Sequence, residues 1–227
     1  MDPNYRDILS GLYSSAVMKP LAIHRTNSPD RELLVQRGRR LEYLTIAWNS
    51  LEAAVALISG LLAGSIALVG FGLDSVIETA SAGILLWRLR AVDGERAERS
   101  AHRLVAICFL LLAAYVTLQS IRALWTKAQP ELSLPGTLIA IAAVIVMPLL
   151  GRAKRRVAAQ LNSGALHADS RQADFCAWLS AILLAGLLLH ALLGWWWADP
   201  AAALVMTPII AREGLQGVRG KKCDCEE

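Results

Sequence analysis

The stretch from Gly64 to Trp87 is long and apolar enough to cross a bilayer, yet it carries two acids near its middle. Asp74 and Glu78 are four residues apart, so on a helix they leave the same face about 6 Å from one another. A carboxylate at membrane depth is costly unless it meets a cation, a proton or water, so such acids are read first as functional. The competing reading is neutralisation by a basic residue of a neighbouring span. No Lys or Arg lies in the middle of any expected span.

The rest of the chain fits a membrane setting. Of 227 residues, 55% are hydrophobic, too many for a soluble domain of ordinary composition. The first 40 residues hold no apolar core followed by a small-residue cleavage site, so the first span is expected to act as its own insertion signal. The sequence predicts an all-α polytopic membrane protein with six transmembrane helices. Residues 1–40 read as a cytoplasmic tail. Within it, Ser28-Pro29-Asp30 starts a helix, and Arg31 to Arg40 forms a basic amphipathic lead-in. Residues 41–220 hold the membrane domain, and residues 221–227 a short tail.

Span one, about Tyr43 to Leu62, carries Asn49 and Glu52 on one face, and Gly60-x-x-x-Gly64 at its end permits close helix approach. The short link to span two demands an antiparallel hairpin. A charged loop from Arg88 to Arg103 precedes span three, about Leu104 to Trp125. Span four is expected at Thr137 to Leu150, bent by Pro148, with Gly151 to Arg156 as a basic cluster after it. Span five reads as one long helix from about Val157 to Leu193. Trp195, Trp196 and Trp197 form an interfacial belt, and Asp199-Pro200 opens span six, which runs to about Gly217.

Of the 23 Lys and Arg, all but Arg122 and Lys127 then fall on one side of the membrane. The positive-inside rule places both termini there, in the cytoplasm. The clusters Arg37-Arg39-Arg40 and Lys154-Arg155-Arg156 are read as topology signals and contacts to anionic lipid. Nothing here supports a nucleic-acid partner.

In span five, Asp169, Gln172 and Cys176 are spaced i, i+3, i+7 and so share a helical face. With Asp74 and Glu78 they offer carboxylate oxygens, an amide oxygen and a thiol at one depth. Zinc accepts such oxygen and sulfur ligands, and a thiolate favours it over magnesium or calcium. Manganese or iron suits an oxygen-dominated version, and cobalt or cadmium stays open. The ion is a transported substrate in this reading, and no cofactor is expected. Asp169 is either a first ligand or an acid on the path inward. Asn49 and Glu52 are either an accessory ligand and proton relay or a hydrogen bond between spans. Arg171 and Asp174 read as a local ion pair. Cys223 and Cys225 form either a soft-cation site in the tail or part of an unstructured end. No nucleophile–base pair of recognisable spacing involves Cys176 or His167, so an enzyme is not expected.

At these positions the chain resembles the cation diffusion facilitators. In span two, Ser65-Ile66-Ala67-Leu68 is followed by Asp74 and Glu78 at the family's spacing. In span five, Ser163-Gly164-Ala165-Leu166-His167-Ala168-Asp169 is similar to the family pattern, but Gln172 and Cys176 stand where it has His and Asp. Gly194 to Pro200 and Arg212-Glu213-Gly214 are similar too, so the likeness covers about Leu41 to Gly220. The family's cytoplasmic metal-binding domain is expected to be missing, as in a short bacterial branch related to transmembrane protein 163. The resemblance implies efflux of a divalent metal in exchange for protons, by alternating access, from a homodimer in the bacterial inner membrane. The alternative class is a non-transporting membrane protein that binds metal and regulates a partner.

Overall fold

The computed structural model describes residues 29–88 and 95–219, and every described element is a helix or a short link. The chain divides into two units, residues 1–33 and 34–227, and the second contains the packed helices. The tail site expected at Cys223 and Cys225 lies outside the described residues, as does the Ser28 helix start.

Among the described residues six helices succeed one another: α1 (Pro29–Ala63), α2 (Ile66–Arg88), α3 (Glu95–Thr126), α4 (Leu134–Leu161), α5 (Gly164–Leu193) and α6 (Ala198–Val218). Five of them are long and apolar enough to cross a membrane: 31–63, 66–84, 103–126, 134–161 and 169–193. The sixth, α6, has the length, but Asp199, Arg212 and Glu213 dilute its apolar run.

The links are short because each has a residue suited to reversing the chain. Gly64 turns α1 into α2 at φ +66°, a conformation that a side chain disfavours. Gly60 one turn earlier sits against α2. A Cβ there would lie 2.8 Å from the Val69 backbone nitrogen, so only glycine permits this approach. The Gly60/Gly64 pair therefore splits its work: the first packs helices, the second makes the turn. Ser133 caps α4, its hydroxyl accepting from the Gly136 N–H at 3.1 Å, with Pro135 in the first turn.

Two expectations need correction. Span five does not begin at Val157. Instead α4 continues through Pro148 and the basic cluster to Leu161. It ends where Asn162 takes the left-handed conformation (φ 50°, ψ 45°) and donates its N–H to Ala158 and Ala159 carbonyls. Ser163 then caps α5, accepting from Leu166 N–H. The Asn-Ser pair supplies a stop and a start back to back, which helical apolar periodicity does not reveal. The expected loop from Arg88 to Arg103 is also shorter, since α3 already begins at Glu95.

The outward surface is apolar and the interior holds the polar groups. On α1, Leu44, Leu51 and Ile58 recur every seven residues on the exposed face, while Thr45, Asn49, Glu52 and Ala56 are buried. On α3, Leu104, Leu111, Leu118 and Trp125 form a similar exposed row. This arrangement suits lipid as the surrounding solvent, where polar groups must find partners inside the protein. The core itself is built around Leu68, Phe71, Val116, Met147, Leu183, Met206 and Ile210. Small residues bring α6 close to two neighbours: Gly186 of α5 faces Ala202, and Gly214 and Gly217 face Ala106 of α3.

Candidate metal centre

The acids of α2 meet the thiol of α5. One ligand atom from each of Asp74, Glu78 and Cys176 lies within 4.8 Å of the other two, and all three residues are buried. Asp74 and Glu78 reach the same place because one helical turn separates them. Cys176 arrives from the facing helix and is wholly shielded from solvent.

A second tier, drawn from α1, α2 and α5, holds these groups. The Glu78 carboxylate accepts from Asn49 Nδ2 at 2.9 Å and from Gln172 Nε2 at 3.3 Å. Glu52 accepts from Ser75 Oγ at 2.6 Å, from Trp48 Nε1 at 2.8 Å and from Cys176 Sγ at 3.6 Å. Asn49 and Glu52 thus make hydrogen bonds between spans, and those bonds end on the clustered acids and the thiol. Trp48 and Ser75 were not singled out by the sequence; the i, i+4 spacing of Trp48 and Glu52 was the available signal.

Two buried acceptors are left over. One carboxylate oxygen of Asp74 and the amide oxygen of Asn49 have no hydrogen-bond partner. Buried acceptors are normally satisfied, and a site whose orphans are oxygens beside further carboxylates is short of positive charge. The ion pairs given for the described residues join Lys154 to Glu42 and Asp169, and Arg155 to Asp174. None of them involves Asp74, Glu78 or Glu52. Neutralisation by a basic side chain, the competing reading of these acids, therefore finds no support among the described residues.

Other expected site residues fall elsewhere. Asp169 is not brought into the Asp74–Glu78–Cys176 group; its carboxylate pairs with Lys154. Gln172 reaches the group through its amide N–H on Glu78. Lys154 corrects its own assignment as a lipid-facing cation: it is 1% exposed and bridges acids of α1 and α5. The lysine lies on the inner face of α4, and its partner Glu42 is 112 residues away, so local sequence gives no warning. Asp174 pairs with Arg155 of α4, where the sequence suggests Arg171.

The start of α2 is held from another helix. Its first turn is capped from α6: the Asp199 carboxylate accepts from Ser65 Oγ, from Ile66 N at 2.9 Å and from Ala67 N at 3.4 Å. An anion at a helix start satisfies free N–H groups and complements the helix dipole. Asp199 and Ser65 thus act on the site by holding the helix that carries Asp74 and Glu78.

The sequence profile of the cation efflux transmembrane domain matches residues 43–219, nearly all of the described helices. The chain belongs to the cation efflux family. It is an integral membrane protein, and the cluster lies within the family's membrane domain. A relative from Synechocystis sp., described as an uncharacterized transporter, is 27% identical over 153 residues, which is 63% of this chain and 49% of that protein. The chain thus spans about half the length of that relative.

Proposed function

We propose that this protein carries a divalent transition-metal cation, zinc for preference, out of the cytoplasm in exchange for protons. The observation that carries the reading is the buried trio of Asp74, Glu78 and Cys176, short of positive charge inside a bundle of apolar helices. Two carboxylates and a thiolate suit zinc or cadmium better than magnesium or calcium, and Asn49 supplies a further unpaired oxygen.

The chemistry of the ligands supplies the coupling. A thiol and carboxylates bind metal only as they lose protons, so loading releases protons and reprotonation expels the metal. The Cys176 Sγ–H points to Glu52, which gives the thiol proton a neighbouring acceptor when metal arrives. Asp74 and Glu78 are close like charges and titrate as a pair. In this reading all six helices cross the membrane with both termini in the cytoplasm, the protein works as a dimer, and the site opens to each side in turn.

The test is flux by purified protein in proteoliposomes, offered zinc, manganese, iron, cobalt and cadmium in turn, with a pH dye inside. Zinc-driven proton movement is expected, and it is expected to vanish in both Asp74→Ala and Glu78→Gln. Unaltered transport in the two variants removes the proposed site. Metal binding without flux assigns the protein instead to regulation of a partner. Cys176→Asp is expected to shift preference from cadmium and zinc towards manganese, since it replaces sulfur by oxygen.

A further inference from the structure

A second group of charges lies beneath the first, on α1, α4 and α5: Glu42 and Lys154 are buried and Asp169 is half-buried. Glu42 precedes Asn49 on α1 by seven residues, and Asp169 precedes Cys176 on α5 by seven. Seven residues are close to two full turns, so each acid shares its helix face with the residue above it, about 10 Å along the axis. Lys154 ties Glu42 to Asp169 at one level, and Cys176 meets Glu52 at the other. The two helices therefore run in the same direction, and the two polar levels are stacked between them.

The lower level has two carboxylates and one ammonium. Lys154 lies 3.3 Å from Glu42 and closer still to Asp169, and the second oxygen of Glu42 is buried with no hydrogen-bond partner. One positive charge thus serves two acids, and an acceptor is left over. A divalent ion balances both carboxylates, where an ammonium balances one. The lysine also has a flexible four-carbon stem, anchored on a third helix, by which its head can leave while its root stays.

We propose that Glu42 and Asp169 form a second divalent-cation site, a staging position below Asp74, Glu78 and Cys176, in which the Lys154 ammonium stands in for the metal. Resting on the transport reading above, the inference assigns this level to the cytoplasmic half of the path. The arriving ion displaces the ammonium, and the ammonium returns once the ion has moved up, so the acids are never left bare. Lys154 then acts as a tethered competitor that sets how much cytoplasmic metal is needed for loading.

Zinc binding to the purified full chain tests this directly. In an Asp74→Asn/Glu78→Gln background, one weaker zinc equivalent is expected to remain. Adding Lys154→Met is expected to tighten it at least tenfold, because the competitor is gone, and adding Glu42→Gln/Asp169→Asn instead is expected to abolish it. Because Lys154→Met leaves a buried and a half-buried acid without their cation and can fail to fold, the neutral triple Glu42→Gln/Lys154→Met/Asp169→Asn is made in the otherwise native chain. It is expected to keep the upper zinc equivalent while raising the KM for zinc transport at least fivefold. A background that binds no zinc with or without Lys154, or a triple variant with unchanged KM, overturns the proposal and leaves the triad a structural tie. If the native chain binds two zinc ions but moves none, the transport reading fails while the second site stands.

Discussion

At the Glu42–Asp169 level the bundle supplies its own cation, and at the Asp74–Glu78 level no cation is supplied among the described residues. Asp74, Glu78 and Glu42 are buried and Asp169 is half-buried, both levels draw on α5, and about 10 Å of helix separates them. In the lower group a lysine meets the acids; in the upper group amide and hydroxyl donors meet Glu78 and Glu52, and one oxygen of Asp74 meets nothing. Fixed neutral donors can orient carboxylates without cancelling their charge. In the transport reading, that difference separates a position that holds a charge of its own from one that receives it from outside.

The contrast can be broken at either level. The largest effect is expected from Lys154→Met alone, which strips one member from a buried ion group and should cost about 3–5 kcal/mol in thermal or denaturant unfolding in detergent. The neutral triple should recover most of that loss, since it leaves no uncompensated charge; a triple as unstable as the single variant means that packing by the lysine stem, not its charge, holds the three helices. Next comes removal of an upper acid. Asp74→Asn should weaken zinc binding about 100-fold or more while leaving unfolding nearly unchanged or improved, because it relieves a site short of positive charge. A marked loss of stability in this variant would mean that Asp74 has a structural partner.

Smaller effects sharpen the picture. Asn49→Ala withdraws the donor that orients Glu78 and should weaken zinc affinity about tenfold, with the number of bound ions unchanged. Affinity at the upper site should also rise with pH, on the order of tenfold per pH unit for each proton released, because the thiol and acids must deprotonate to bind. A flat pH profile in zinc titrations contradicts a thiolate ligand. The smallest change is expected from Ser65→Ala, which removes one hydroxyl from the Asp199 cap and should cost about 1 kcal/mol of stability with no direct effect on the ligands.

The upper level was legible in the sequence because its signal is local. Acids four apart in an apolar stretch, and Gln172 and Cys176 at i, i+4, declare shared faces before any fold is known. The helices themselves were legible for the same reason, through runs of apolar residues between charged links. The lower level was not. Lys154 sits in Gly151-Arg152-Ala153-Lys154-Arg155-Arg156, which reads as a surface cluster, and only the packing of α1 and α5 against α4 turns one of its four cations inward. Asp169 was visible as a polar residue on the right face, but its partner came from another helix. The break at Asn162-Ser163 was present in the letters yet hidden by helical patterning on both sides. Asp199 was visible as the acid at the start of the last helix, but its duty to α2 depends on two helix starts meeting across 134 residues of chain.

That meeting of Asp199 with Ser65, Ile66 and Ala67 has a mechanical consequence. The start of α2 is fastened to the start of α6 by a carboxylate that accepts from three donors, so a displacement of either helix start is passed to the other. Any tilt of α2 that moves this end must carry the start of α6 with it.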